Sequence, residues 1–434
     1  MFGPRRYNRS RRLPSVMDER AVVTCFLRHG TEVLLVRRSD DIGSCRERWG
    51  GVSGDAEGTP GAAARREIDE EVGLLDAVEF VRSANALEVE DEDRGTRWLV
   101  HPFLFDCSST AVDPNEEIAD HEWVQPPEIQ NRQTVPRLWE TYRAVAPAVE
   151  TVADDGEHGS AYLSVRALEV LRDAAADVEA GGTEADNVDA ALAGLAADLR
   201  ATRPSMGVVR NRVNRVMADA DGTPAEVRER AATACRRAVE ADDEAAAEAA
   251  RTVGDHVLTL SRSGTVLEAL QRADPEAVYV AESRPKREGV GVAEELAESL
   301  DVSLFVDAAI GHVLAAEPID TVLVGADSVL ADGSVVNKVG TRPAALSAAE
   351  AGVDCYAVCA TDKVVPTTDV TLESGPAAEV HDCEAVEVLD PTFEVTPSGP
   401  FGGLLTEEGV LAAADVTALA DEHATLAERA DRPG

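Results

Sequence analysis

From residue 255 onward, short β-rich runs alternate with helical stretches, and this alternation restricts the fold more than any other feature of the chain. The runs are His256–Leu260, Ala277–Ala281, Val302–Val306, Thr321–Val324 and Asp354–Val358. Helical segments such as Ala293–Leu300 and Ala344–Ala351 lie between them. Strands that alternate with helices imply a parallel sheet over residues 255–434. Ligands of such sheets bind beyond the carboxyl ends of the strands. The residues there are Ser261, Glu282, Asp307, Asp327 and Thr361.

The preceding residues have other rhythms. Over 157–254 the segments Leu163–Ala180, Val188–Arg200 and Ala225–Arg251 carry apolar residues at helical spacing, with no strand pattern. Residues 18–146 mix the two. Ala21–Leu27 and Glu32–Arg37 are β-rich runs split by His29-Gly30-Thr31, which reads as a hairpin. Thr59–Val72 reads as a helix with Thr59 as N-cap and Pro60 at its first position. Trp98–Phe105 is a further strand and Arg137–Val145 a closing helix. Residues 147–156, with Pro147, Asp154, Asp155 and Gly156, read as a linker. Residues 1–17 carry Arg5, Arg6, Arg9, Arg11 and Arg12 with no apolar segment after them. They read as a flexible basic tail rather than a secretory signal.

Charge narrows the function classes. The formal net charge is −40, and only Lys286, Lys338 and Lys363 are lysines. So acidic a chain is a poor candidate for nucleic-acid binding, which needs basic surface. With 44% hydrophobic residues in periodic runs, it still builds packed cores. The balance suits a salt-rich cytoplasm, where ions screen surface repulsion. The seven cysteines (Cys25, Cys45, Cys107, Cys235, Cys355, Cys359 and Cys383) include no Cys-x-x-Cys. Neither a disulfide framework nor a zinc site is expected, and free thiols fit a reducing cytosol. No apolar run reaches membrane-spanning length, so no membrane partner is expected.

Two motifs carry chemistry. In Arg66-Glu67-Ile68-Asp69-Glu70-Glu71-Val72-Gly73-Leu74, Glu67, Glu70 and Glu71 stand at i, i+3 and i+4. That spacing places three carboxylates on one helix face, an oxygen-only set suited to Mg²⁺ or Mn²⁺. Arg66 can fix the carboxylates by ion pairing, while Gly51 and Gly54 let the loop backbone approach phosphates. With Gly51 and Glu57 upstream, the run resembles the signature of Nudix hydrolases. Trp49-Gly50-Gly51-Val52 and His121-Glu122-Trp123-Val124 add to the likeness. The resemblance implies an α/β/α sandwich over 18–146 that hydrolyses a nucleotide diphosphate derivative. Metal would lie on Glu57, Glu67, Glu70 and Glu71, with Gly51 and Arg66 on the substrate and Glu70 or Glu71 acting on water. Which of the glutamates is the base stays open. Eight residues rather than the family's seven separate Glu57 from Arg66. Either a loop insertion absorbs the extra residue or Glu57 has lost its role.

The second motif is Gly325-Ala326-Asp327-Ser328-Val329-Leu330-Ala331-Asp332-Gly333-Ser334-Val335-Val336-Asn337-Lys338-Val339-Gly340-Thr341. It sets a carboxylate, an amide and an ammonium around one strand end. That arrangement suits a phosphorylated polar ligand, with Lys338 on phosphate and Asp327 on a hydroxyl. The run resembles a family joining three members: the α, β and δ subunits of translation initiation factor 2B, methylthioribose-1-phosphate isomerase, and ribose-1,5-bisphosphate isomerase. Thr202-Arg203-Pro204-Ser205, Glu282-Ser283-Arg284-Pro285 and Pro391-Thr392-Phe393-Glu394-Val395-Thr396-Pro397 extend the likeness over about residues 157–434.

That resemblance implies a helical part followed by a Rossmann-like part. It also implies ligand contacts at Arg203, Arg284, Asn337 and Lys338, self-association through this region, and an acid/base pair of cysteine and aspartate. The aspartate falls on Asp327, but the cysteine position holds Ser261, in Thr259-Leu260-Ser261-Arg262-Ser263-Gly264. The family's Arg-Gly-Ala sugar-phosphate element appears as His158-Gly159-Ser160. A serine hydroxyl is a poor proton carrier without a strong base beside it. The expectation is therefore an Mg-dependent hydrolase joined to a domain that binds a phosphorylated sugar or nucleotide. A sugar-phosphate isomerase is one alternative. A non-catalytic regulatory protein with an initiation-factor partner is the other.

Overall fold

The computed structural model describes residues 18–40, 46–91, 95–181, 188–220, 222–382 and 385–431. The basic tail at 1–17 lies outside the described residues, as do Cys45 and Cys383. Two compact units divide the chain, residues 1–146 and 147–434.

The first unit is built on one mixed sheet. Strand Asp18–His29 pairs antiparallel with Glu32–Arg38 and Val52–Asp55 and parallel with Thr96–Cys107. The pairs Arg28↔Val33 and His29↔Glu32 close a hairpin on Gly30-Thr31, with Gly30 at φ +59°. Side chains alternate across a strand, so the sheet has two apolar faces. Val23, Cys25 and Leu27 face Ala63, Ala64, Ile68 and Val72 of helix Pro60–Val72. Phe26, Val33, Leu35 and Leu104 face Leu138 and Tyr142 of helix Leu138–Arg143. Ile68 and Phe26 are wholly buried, which contributes roughly 2 kcal/mol each. Helix Pro60–Val72 begins where expected. The Thr59 hydroxyl accepts from the Ala62 amide, and Gly73 caps the other end in the left-handed conformation.

In the second unit, helices Ser160–Glu179, Val188–Ala201, Gly207–Asp219 and Pro224–Thr252 precede a seven-stranded sheet. Its order is Val302–Phe305, Ala277–Ala281, His256–Leu260, Thr321–Gly325, Asp354–Val358, Gly403–Thr406 and Gly409–Leu411. Every pairing is parallel except the last. The first strand in sequence lies beside the fourth, so the winding reverses between Leu260 and Gly325. A crevice opens at such a reversal.

Four details differ from the sequence expectation. Residues 147–156, read as a linker, hold helix Val149–Asp154, whose Val152 is fully buried in the core of the second unit. The helix read at Ala293–Leu300 is Glu288–Leu296. The last two strands of the sheet had no reading of their own. Asn337 and Lys338 end strand Val335–Lys338, which had no reading of its own, in a separate three-stranded sheet with Ser328–Val329 and Phe393–Thr396. Helix Thr341–Ala351 starts only after Gly340, which turns the chain at φ +110°.

Two candidate active sites

The first site lies on helix Pro60–Val72. Its three glutamates share a face but not an environment. Glu71 is buried, 7% exposed. One of its carboxylate oxygens accepts the Ser53 amide at 3.1 Å. Burial pushes its pKa up to about 8, and Glu67 and Glu117 push the same way against the Ser53 amide and Arg38. Glu67 is half-buried and also raised by burial, although the Arg66 guanidinium donates to it at 2.9 Å. Arg66 also donates to the Asp55 carbonyl at 3.1 Å, which ties the helix to the strand before it. Glu70 and Glu57 are exposed. Both glycines allow close approach. A Cβ at Gly51 would stand 2.7 Å from the Cys25 carbonyl oxygen, and one at Gly54 would overlap the Glu67 carboxylate. The Cys25 thiol lies beneath the acids and is raised well above its ordinary value by burial and then by Glu71 and Glu67.

The donor chemistry, carboxylates alone, fits a hard divalent cation. Among the described residues, no three acidic, histidine or cysteine side chains are yet gathered as a ligand set. Glu67 is held by Arg66, and Glu57 and Glu70 lie in solvent. Sequence reasoning missed Glu117 and Arg38, which line a small crevice with Gly51 and Glu71. Neither has fixed spacing from the motif. Strand Glu32–Arg38 brings Arg38 there, and the turn before strand Ile118–Val124 brings Glu117.

The second site is a cavity of about 250 Å³ at the reversal point of the parallel sheet. Ser261, Asp327, Asn337, Lys338 and Arg203 all line it. Asp327 follows strand Thr321–Gly325 and faces Ser160, the first residue of helix Ser160–Glu179, and Lys363. Burial raises its pKa more than Lys363 and Ser160 lower it. Lys363 donates to the Ala326 carbonyl at 2.6 Å, and Lys338 donates to Glu288 at 2.8 Å. Asn337 donates to the Thr341 hydroxyl at 2.9 Å, which donates in turn to the Lys338 carbonyl at 2.8 Å. This pairing fixes the Asn-Lys end of the strand. A Cβ at Gly325 would stand 2.9 Å from the Ser263 Cβ, so glycine keeps the two strand ends close.

Ser261 sits in the left-handed region at φ +62° and donates its amide to the Ser283 hydroxyl at 2.6 Å. Ser283, at φ +61°, donates its own amide to Asp307 at 2.8 Å. Three strand ends are thereby cross-linked. Arg203 donates to the Val152 carbonyl at 2.9 Å and lies 3.6 Å from Glu373. Arg284 departs from expectation. Its side chain is exposed and does not line the cavity, while its amide donates to Asp307 at 2.7 Å. Lys286, two residues on, lines the cavity instead. Cys355 and Cys359 are buried, and burial pushes both thiols up to about 12, so they belong to the core. Lysine scarcity was the signal that would have found Lys286 and Lys363 as well as Lys338, because all three line this cavity.

The model of the initiation factor 2 subunit family matches residues 156–413, and that of the NUDIX domain matches residues 17–145. The ribose 1,5-bisphosphate isomerase of Haloterrigena turkmenica is 33% identical over 326 residues, covering 67% of this chain and 97% of that protein. The ribose 1,5-bisphosphate isomerase of Haloferax volcanii is 32% identical over 273 residues, covering 58% of this chain and 83% of that protein. Among solved structures, the Pyrococcus horikoshii translation initiation factor eIF-2B aligns with a TM-score of 0.54 at 27% identity. It covers 61% of this chain and 94% of its own.

Proposed function

Because this chain belongs to the initiation factor 2 subunit family and carries a NUDIX domain ahead of the family's region, we propose that it joins a nucleotide diphosphate hydrolase to a ribose-phosphate isomerase. The observation that carries the isomerase reading is the convergence of Asp327, Asn337, Lys338 and Lys363 on one cavity at the sheet reversal.

Converting a 1-phosphorylated aldose to a 2-ketose moves one proton from C2 to C1. A base removes the C2 proton as the bond from C1 to the ring oxygen breaks, and an acid protonates that oxygen. The resulting enol gains a proton at C1 from the first group and loses its O2 proton to the second. No redox partner is needed. Asp327, whose carboxyl is raised by burial, suits the group that gives a proton to the ring oxygen and takes one back from O2. Lys338 and Lys363 suit the phosphate and the developing enolate charge. Incubation of the full chain with ribose 1,5-bisphosphate, followed by ³¹P NMR, tests the reading. Appearance of the 2-ketose is expected, and persistence of the aldose removes it.

At the first site, Glu67, Glu70 and Glu71 would hold Mg²⁺. The ion supplies charge neutralisation on the diphosphate and an activated water. Arg66 keeps the helix against strand Val52–Asp55, and Gly54 leaves room for the Glu67 carboxylate. Phosphate release from a panel of nucleoside diphosphate derivatives with Mg²⁺ tests this half. Ser261 supports a second reading for the other half, in which the cavity binds a phosphorylated sugar without converting it. There the second unit would self-associate and engage an initiation factor, and co-purification would test both.

A further inference from the structure

The isomerisation described above needs two proton carriers, and Asp327 supplies one. The other must take the C2 proton and return it at C1. Ser261 is ill suited to this step, because a serine hydroxyl removes a carbon-bound proton poorly without a base beside it. Among the described residues, no cysteine lines the cavity. The carboxylates that line it are Asp155, Glu157, Glu288, Asp327 and Glu373.

Three of these are placed for other work. Asp155 accepts the Glu157 and His158 amides, both at 2.9 Å, and lies 2.8 Å from His158 Nδ1. Glu157 is exposed in the same turn. Glu373 accepts the Ser205 hydroxyl at 2.8 Å with one oxygen, and its other oxygen lies 3.6 Å from Arg203. Glu288 remains. It opens helix Glu288–Leu296, and one of its carboxylate oxygens accepts from Lys338 at 2.8 Å. The other oxygen is buried and has no hydrogen-bond partner among the described residues.

The fold holds Glu288 closely. A Cβ at Gly289 would stand 1.9 Å from the Ala281 carbonyl oxygen, so glycine lets the helix start against the end of strand Ala277–Ala281. The Glu288 side chain is 27% exposed, which leaves it within reach of a ligand in the cavity. An ammonium has three donors, so Lys338 can hold Glu288 and still donate to a substrate oxygen. A sugar carbon whose oxygen rests on Lys338 therefore comes next to the unpartnered carboxylate oxygen.

We propose that Glu288 is a second catalytic residue of this cavity, the carboxylate that takes the C2 proton. The electron pair of the C2–H bond becomes the C1=C2 bond. The pair of the bond from C1 to the ring oxygen leaves on that oxygen, which takes the Asp327 proton. Asp327 then takes the O2 proton, the O2–H pair closes the C2 carbonyl, and the C1=C2 pair collects at C1 the proton held by Glu288. Both carboxyl groups return to their starting states, and no co-reactant is consumed. The inference rests on the isomerase reading and names the group which that reading leaves unassigned.

Turnover of ribose 1,5-bisphosphate by the full chain, read by ³¹P NMR across pH beside calorimetric binding, tests it. Glu288→Gln keeps an oxygen for Lys338 but cannot take a proton. It should lower turnover at least about a hundredfold and leave binding within a few-fold. The fall of wild-type kcat/KM at low pH, which reports the base, should vanish from the residual activity of Glu288→Gln and persist in His158→Gln. A Glu288→Gln variant within about threefold of wild-type turnover overturns the inference. So does a loss of turnover matched by an equal loss of binding, which makes Glu288 a support for Lys338, or a low-pH limb that vanishes in His158→Gln instead. Each of these leaves the isomerase reading standing. A wild type that converts none of the sugar overturns both.

Discussion

Glu71→Gln should stabilise the first unit even as it removes a residue assigned to hydrolysis. The Glu71 carboxyl rises from 4.5 to about 8, chiefly because it is buried. The fold therefore favours the protonated form. Stability contributed by this group is present below about pH 4.5 and is lost progressively as the pH climbs toward the folded value. Each pH unit in that interval costs about 1.4 kcal/mol, because folding must take up a proton, so the wild type gives up about 3 kcal/mol by pH 7. Glutamine keeps an oxygen for the Ser53 amide and carries no charge to bury. For a unit of this size, about 3 kcal/mol corresponds to a melting-temperature gain of about 6 to 10 °C.

The assay is built into the sequence. All four tryptophans, Trp49, Trp98, Trp123 and Trp139, belong to the first unit, so tryptophan fluorescence of the full chain follows that unit's unfolding alone. The gap between variant and wild type should widen from about pH 5 to about pH 8. Mg²⁺ should narrow it by stabilising only the wild type. A gap that stays flat with pH, or a variant less stable than wild type at every pH, refutes the reasoning.

Three further outcomes are expected. Asp327→Asn should lower turnover of ribose 1,5-bisphosphate by at least about a hundredfold in a single-turnover assay and leave its binding within a few-fold, because a proton carrier is lost while shape is kept. Ser261→Cys should raise the isomerisation rate by about tenfold or more if serine limits proton transfer; no change would assign that transfer to another group. Gly54→Ala forces the Glu67 carboxylate out of its place and should cut Mg²⁺-dependent phosphate release at least about tenfold with little change in the melting of the second unit.

What the sequence revealed follows from which interactions are local. The i, i+3, i+4 spacing of Glu67, Glu70 and Glu71 is a property of one helix, and the alternation of runs from His256 is a property of neighbouring segments. Both were readable without tertiary information. The separate fates of the three glutamates were not, because Glu71 is buried by Ser53 on a strand while Glu70 meets none. The strand that ends in Asn337 and Lys338 was not readable because its partner, Phe393–Thr396, lies far along the chain. Arg284 and Lys286 exchange roles for a similar reason. The turn at Ser283 is pinned by Asp307 from another strand end, and no local pattern shows which side chain that turn presents to the cavity.

The confinement of every lysine to one cavity also makes the chain its own footprinting reagent. Lys338 and Lys363 are buried, whereas the Lys286 amine is partly open. Apart from the α-amino group, an acylating probe therefore meets one accessible amine, at the rim of the ligand site. Loss of labelling there on adding a phosphorylated sugar would report occupancy directly, one residue per chain, without any turnover assay.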